Sequence, residues 1–387
     1  MDFELTEEQK LLRANAREFM DREIIPFVND YERKYRPLPK DVAINLMKKL
    51  APLGYTGGMV PLEWGGGDMS FISYGVLMEE LGRAWGSLSI MVVVHHGGAL
   101  DLSKSGSDEQ RKRYLPLLIS GEMIASGAIT EPNAGSSNRE METTIVADGD
   151  HYIVNGTKTW ITNGGVSDFC GLVGYTDKSK GTKGISRIIV DGRESPFEAR
   201  ELPKLGFRCC PTAELTFSDC RVPKRNLFGE EGTGYGATMV VFLFPRAMIG
   251  VSSAGLAQAA IDEAVKYALE RKQFGRPIAK FQLVQQMLAE MFVETEAIRL
   301  LAYKACQLLD NGELCFKECS AIKFFGSETA VRVCSRAMEI LGAYGISEEY
   351  PLERYFRDAR TLLPPDGTNQ IQRLIVGREL LGMPAFI

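Results

Sequence analysis

The chain has 387 residues, too many for one small core, so two or three domains are expected. It is 45% hydrophobic and 25% charged with a mean hydropathy of −0.09, the make-up of an ordinary globular protein. A net charge of −5 and a pI near 5.6 argue against nucleic acid or an anionic membrane as main partner, and apolar runs such as Ile90 to Val94 and Met239 to Phe244 are too short for a membrane span.

The opening residues, MDFELTEEQK, are acidic where a secretory or transit peptide would be basic, which makes a cytoplasmic protein the default. Leu5 to Ile24 reads as a helix, with Thr6 and Gln9 at capping-box spacing and Leu11, Leu12, Phe19 and Met20 as apolar positions. Further helices are expected over Asp41 to Leu50, Ile72 to Arg83, Ser87 to Leu102 and from Ser107 to about Leu118, where Ser107 and Gln110 repeat the capping spacing. Gly54 to Gly67, rich in glycine and proline, is loop. Residues 1–120 are therefore an all-helical domain.

At Gly121 the apolar period becomes alternating, and turn signals crowd in at Asp148-Gly149, Asn155-Gly156, Asn163-Gly164-Gly165 and Asp191-Gly192. HYIVNGTKTWI reads as a hairpin around Asn155-Gly156, and Ala213 to Cys220 as another alternating strand. Residues 121–230 form a β-domain, a small barrel or two packed sheets. GEEGTGYG (Gly229 to Gly236) lacks the strand–turn–helix unit of a dinucleotide fingerprint and reads as a flexible joint. Long helices follow over Gly236 to Arg271, Phe281 to Asp310, Phe316 to Ala343 and Thr368 to Leu381, with a shorter one over Leu352 to Arg360. Residues 231–387 are a helical bundle, so the fold is α+β and multidomain.

Eight cysteines (Cys170, Cys209, Cys210, Cys220, Cys306, Cys315, Cys319, Cys334) include no CxxC pair, and His95, His96 and His151 lack metal-ligand spacing. Cys315 and Cys319 share a helix face as packing residues. Reduced thiols and no metal are expected. The most informative stretch is TLLPPDGTNQIQRLIVG (Thr361 to Gly377). Pro364 and Pro365 stiffen the approach, Asp366-Gly367 turns sharply, and Thr368 can cap a helix carrying Ile371, Leu374 and Ile375. A carboxylate on such a turn is a candidate general base, though a DG pair is more often an ordinary turn.

Six segments, in order, carry a resemblance across essentially the whole chain: AITEPNAGSS (Ala128 to Ser137), NGTKTWITNG (Asn155 to Gly164), KLGFRCCPTAELTFSDCRVP (Lys204 to Pro223), ALERKQFGRPIAKFQLVQ (Ala268 to Gln285), EILGAYG (Glu339 to Gly345) and PDGTNQIQRLIVGRE (Pro365 to Glu379). The chain resembles the acyl-CoA dehydrogenases. That resemblance implies FAD, an acyl-CoA substrate, electron-transfer flavoprotein as acceptor and a homotetramer, with Asp366 removing the α-proton while the β-hydride goes to the flavin. It sets Ile129 and Thr130 along the flavin pyrimidine edge, Trp160 on the ring, Thr162 near its N5 and Ser136 near the acyl-CoA or FAD phosphates. Arg271, Gln273 and Phe274 would contact FAD across a subunit boundary, Thr368, Gln370 and Glu339 would complete its site, and Arg246 and Gly367 would lie at the substrate.

Three departures matter. The family's usual base is a glutamate in a YEGT-like run, whereas this chain has PPDGT; its alternative base position on the first bundle helix is Pro245 here; and Glu339 stands where a glutamine is expected. An aspartate base together with GRELLGMPAF (Gly377 to Phe386) is similar to the alicyclic branch, the cyclohexanecarboxyl-CoA dehydrogenases. A diene-forming cyclohexene-carboxyl-CoA enzyme would want a base on an N-terminal helix, where Asp101 is the candidate. A nitroalkane-oxidase-like flavin oxidase, which also uses aspartate, and a non-catalytic or carrier-protein-directed homologue are the competing readings.

Overall fold

The computed structural model describes residues 4–384, so Met1 to Phe3 of the acidic start and Ala385 and Phe386 of the C-terminal run lie outside the described residues. The chain opens with helices α1 (Glu7–Glu23), α2 (Ile25–Lys34), α3 (Lys40–Leu50), α4 (Phe71–Ala84), α5 (Gly86–Ser105) and α6 (Asp108–Ile119). Both expected capping boxes form: Gln9 N donates to Thr6 Oγ1 at 3.2 Å and Gln110 N to Ser107 Oγ at 3.2 Å, with the side-chain amides reaching back. Periodicity alone missed α2, which a proline in its first turn starts. Leu11 is not a core position; it is 62% exposed, and α1 packs through Ala16 and Met20 instead.

The middle of the chain is a β-domain, as expected, built as a single sheet curled into a half-barrel. Its strands are β1 (Ala125–Ala128), β2 (Thr144–Asp148), β3 (His151–Thr162), β4 (Phe169–Tyr175), β5 (Ile185–Asp191), β6 (Glu198–Glu201) and β7 (Thr212–Pro223). They run in the order β1-β4-β2-β3-β7-β6, with β5 on the other edge of β4. Asn155-Gly156 is not a hairpin turn. Both residues lie inside β3, at a register shift against β7, while the chain reverses at Gly149-Asp150 between β2 and β3. Two interactions keep Asn155-Gly156 in the strand. Asn155 exchanges side-chain hydrogen bonds with Asp219, and a Cβ on Gly156 would sit 2.4 Å from Thr143 Oγ1.

The last part holds α7 (Gly234–Val241), α8 (Leu243–Glu270), a two-strand ribbon β8 (Lys272–Gln273) and β9 (Arg276–Pro277), α9 (Gln282–Asp310), α10 (Phe316–Leu341), α11 (Leu352–Thr361) and α12 (Asn369–Leu381). The helix expected from Gly236 to Arg271 is broken at Phe242, because Pro245 has no N–H to continue the ladder. The stretch before it is not a loose joint: Gly232 N donates to Ser186 Oγ at 2.9 Å and α7 packs on β5. The run 234–270 is long and apolar enough to cross a membrane by composition, yet 72% of its apolar window is buried, since α8 is the central helix of the fold.

The two helical parts share one core. Met20, Leu77, Met78 and Met91 pack in the same cluster as Ala247, Ile249, Ile322 and Val333. The sheet has its own smaller core around Ile145, Val154, Leu172, Ile188 and Leu215. All eight cysteines are buried and unbridged, Cys315 and Cys319 lying 3.5 Å apart through sulfur. Among the described residues no cluster of three or more His, Cys, Asp or Glu could hold a metal.

Candidate active site

The turn between α11 and α12 is built by donors that converge on its main chain. Asp366 has φ 55°, in the left-handed region, and Gly367 has φ 93°, where a Cβ would meet Gln372 Nε2 at 2.5 Å. Arg246 on α8 donates from Nε to Asp366 O at 3.2 Å. Gln372 Nε2 donates to Asp366 O at 2.9 Å and to Gly367 O at 3.1 Å. Lys323 on α10, fully buried, donates from Nζ to Leu363 O at 2.6 Å, Gly367 O at 2.9 Å and Asn369 Oδ1 at 2.9 Å. Thr368 caps α12, its Oγ1 accepting from Ile371 N.

The donors all go to carbonyls and to Asn369. Among the described residues the Asp366 carboxylate itself accepts no hydrogen bond, and the residue is half-buried. Burial raises its pKa above the ordinary aspartate value, while the charges of Lys323 and Arg246 pull it back. A free carboxylate with a raised proton affinity can accept a proton.

A second group of residues is joined across β3 and the segment that follows β1. Trp160 sits at φ 59°, at a register shift between Lys158 and Ile161, with its indole 57% exposed. Thr159 N donates to Thr130 O at 2.9 Å, so Thr130 lies beside the tryptophan strand. Lys158 Nζ, fully buried, donates to Ile129 O at 2.9 Å and to Glu131 Oε1 at 2.8 Å; Glu131 also accepts from Glu142 N and Thr143 N. Thr162 ends the strand opposite Thr212, half-buried. Around Gly127 and Gly135 an added Cβ would meet nothing within 4 Å. Trp160 thus presents a largely exposed indole from a left-handed backbone conformation.

Other expected residues lie apart. Ser136 is exposed in the loop after β1. Arg271, at the C-terminal end of α8, and Gln273 and Phe274, on the β8–β9 ribbon, are exposed, and the ribbon's tip, Phe274, is 92% exposed at φ 50°. No hydrogen bond joins that ribbon to Ile129, Thr130, Trp160 or Thr162 among the described residues. Glu339 is exposed near the end of α10 with no partner for its carboxylate among the described residues, and Gln370 is exposed on the first turn of α12. Asp101 is held by Arg187 Nη1 at 2.8 Å and by Ser105 Oγ at 3.0 Å, so it is committed to an ion pair.

Sequence reading missed Lys323, Gln372, Asn369 and Asn163. Lys323 left a signal: it lies on the stripe of Cys319, Ser327 and Ala330, a cation on a buried helix face. Asn163 was legible only as a turn. In the fold it is fully buried at φ 64°, with Nδ2 donating to Met91 O and Ala125 O at 3.0 Å each, which ties α5 to β1 beneath Trp160 and Thr162.

Comparison with known proteins shows the family. Family models for the N-terminal, middle and C-terminal domains of acyl-CoA dehydrogenases match residues 6–122, 126–220 and 232–381. The chain is 38% identical to a 3-(aryl)acrylate reductase of Clostridium sporogenes, covering 97% of this chain and 99% of that one. It is 38% identical to a cyclohex-1-ene-1-carbonyl-CoA dehydrogenase of Syntrophus aciditrophicus, covering 98% and 91%. The solved butyryl-CoA dehydrogenase of Megasphaera elsdenii superposes with a TM-score of 0.93 at 34% identity, covering 98% and 100%. On its three matched domains, and on homologues that run the length of the fold, the chain belongs to the acyl-CoA dehydrogenase family and is an FAD-dependent oxidoreductase.

Proposed function

We propose that the protein desaturates a short, bulky or alicyclic acyl-CoA such as cyclohexanecarboxyl-CoA, with Asp366 as the base that removes the α-proton. The observation that carries this is the Asp366 carboxylate, left without a hydrogen bond among the described residues on a turn whose Leu363, Asp366 and Gly367 carbonyls are gripped. A thioester acidifies its α-hydrogen enough for a carboxylate to take it. Asp366 is one methylene shorter than the glutamate usual in the family, roughly 1.5 Å of reach. Misplacement of about 1 Å is costly in catalysis, so the substrate must bring its α-carbon closer or carry bulk there. A ring bearing the α-carbon does the latter. The Syntrophus relative supports a six-membered ring as the acyl group, its own named substrate being the cyclohexene of the diene-forming alternative. Asp101, engaged by Arg187, is poorly placed to serve a diene-forming reaction.

FAD, when bound, supplies the hydride acceptor for the β-carbon. Ile129 and Thr130 would hold its pyrimidine edge, Trp160 would cover the ring and Thr162 would lie near its reactive nitrogen. Ser136, Arg246 and Gly367 would line the acyl-CoA path. Arg271, Gln273 and Phe274, all exposed, would reach the FAD of a second copy, and Thr368 and Gln370 would complete that site. Glu339 carries the same sign of charge as the FAD phosphates, so a contact there would need a cationic partner. Assembly as a homotetramer, electron-transfer flavoprotein as acceptor and a cytoplasmic setting belong to the same proposal.

The test is anaerobic titration of the FAD-loaded protein with straight, branched and alicyclic acyl-CoAs, for wild type and Asp366→Asn. Flavin bleaching should be fastest with the alicyclic thioester and absent in the variant, which should still bind FAD. Bleaching by Asp366→Asn at the wild-type rate would move the base elsewhere. The relatedness to an arylacrylate reductase favours a second reading, in which the same site runs as an enoyl-CoA reductase. Equilibration from the unsaturated side separates the two.

A further inference from the structure

We propose that Lys323 is a positioning residue for the base: its ammonium grips the turn on both sides of Asp366 and leaves the carboxylate free. This rests on reading Asp366 as the base. Leu363 and Gly367 bracket Pro364, Pro365 and Asp366, and Lys323 Nζ reaches both of their carbonyls, at 2.6 and 2.9 Å. Its third contact is Asn369 Oδ1 at 2.9 Å, in the first turn of α12. One buried side chain from the middle of α10 thus closes the loop and fixes it to the helix that follows.

Three acceptors within 3 Å match the three N–H groups of an ammonium, whereas a neutral amine has two. Burial pushes the lysine down to about 7, but a neutral amine would turn a lone pair toward one of those oxygens. Asn369 is itself oriented, its Nδ2 donating to Ser327 Oγ and Glu328 Oε1 at 3.1 Å each. The charged groups around the clamp are Asp366, Arg246 and Glu328; Arg373 pairs with Glu328, and Arg246 also feels Cys319 and Arg378. Among the described residues Arg246 hydrogen-bonds only Asp366 O, so it does not hold the far end of the loop at Leu363.

Two consequences separate positioning from mere packing. Loss of the clamp lets a residue at φ 55° drift, which slows proton removal without weakening acyl-CoA binding. Loss of a cation beside Asp366 raises its pKa, so the acid limb of the rate moves to higher pH. The experiment uses the FAD-loaded protein with butyryl-CoA and cyclohexanecarboxyl-CoA as probes. Stopped-flow flavin reduction is followed from pH 5 to 9, and exchange of the thioester α-hydrogen with D2O is followed by NMR. Lys323→Met, which keeps the stem, should lose roughly 10- to 100-fold in both rates at little-changed KM, with the acid limb moved up. Lys323→Gln should show a smaller loss in the same direction.

Wild-type rates and an unmoved limb in Lys323→Met would overturn the proposal. Should neither lysine variant fold with FAD, Asn369→Ala carries the test, since it removes one of the three acceptors and leaves the lysine. A several-fold fall in kcat at constant KM is expected there, and no fall would overturn the clamp. Asp366→Asn separates the two ideas: if it stays active the base reading is wrong, and if it is inactive while Lys323→Met is normal only the clamp is wrong.

Discussion

Arg246 points its Nε at the main-chain oxygen of Asp366, 3.2 Å away, and not at that residue's carboxylate. A guanidinium bonded to the carboxylate would have stabilised its charged form and blunted it as a base. Bonded to the carbonyl, it holds the turn and contributes only a through-space charge. Arg246→Gln should therefore cost roughly 10- to 100-fold in flavin reduction, the worth of about 1.5–3 kcal/mol for a hydrogen bond to a charged donor. Its acid limb should lie above that of wild type. A rate–pH profile by stopped flow checks both, and a limb that stays put would show that Arg246 does not act on the base.

Asp366→Glu returns the missing methylene. It should raise the rate with butyryl-CoA relative to cyclohexanecarboxyl-CoA by about tenfold or more, since reach to an unhindered α-carbon improves while room beside it shrinks. Side-by-side kcat/KM values on the two thioesters measure this. An unchanged ratio would remove the bulk argument for the substrate.

Stability should carry its own pH signature from a buried carboxyl outside the Asp366 turn. Asp358 on α11 is 1% exposed, accepts from Phe207 N at 2.6 Å, and is pushed up to about 7 by burial and then by the nearby Glu32. Glu32 meanwhile accepts from Trp85 Nε1 at 2.7 Å and Ser87 Oγ at 2.9 Å. The folded state binds the Asp358 proton more tightly than the unfolded chain does. Its contribution is thus full below the unfolded value near 4 and fades as pH climbs through about 7. Asp358→Asn can still accept from Phe207 N and carries no charge to bury. Its Tm should exceed that of wild type at pH 8, with the gap closing toward pH 5; parallel Tm–pH curves would contradict the assignment.

The exposed tip of the β8–β9 ribbon is expected to be covered by a second copy. Phe274, 92% exposed, makes one ring contact among the described residues, edge-on with Phe281. Phe274→Asp should weaken FAD retention on gel filtration and shift the species toward smaller mass in light scattering. A variant with unchanged mass and full FAD would place the ribbon outside any interface.

Much of this molecule was legible from local spacing. Thr6 with Gln9 and Ser107 with Gln110 are decided within one helical turn, and the Asp366-Gly367 turn is decided by prolines before it and a capping threonine after it. The reading failed where a distant group overruled a local preference. Asn155-Gly156 has the composition of a hairpin turn, but Asp219 and Thr143 hold it inside a strand. The break at Phe242 follows from Pro245, although the apolar pattern continues through it.

The order of helical, β and helical parts, the caps and the candidate base follow from the chain alone, because each depends on residues within a few positions of one another. The setting of that base does not. Lys323 meets Leu363 and Gly367 across 40 and 44 residues, Arg246 meets Asp366 across 120, and Asn163 meets Met91 across 72. No periodicity encodes such pairs, since which buried donor faces which carbonyl is settled only when α8, α10 and α12 pack together. That packing turns an ordinary-looking aspartate in a DG turn into a carboxylate with its main chain tethered and its oxygens free.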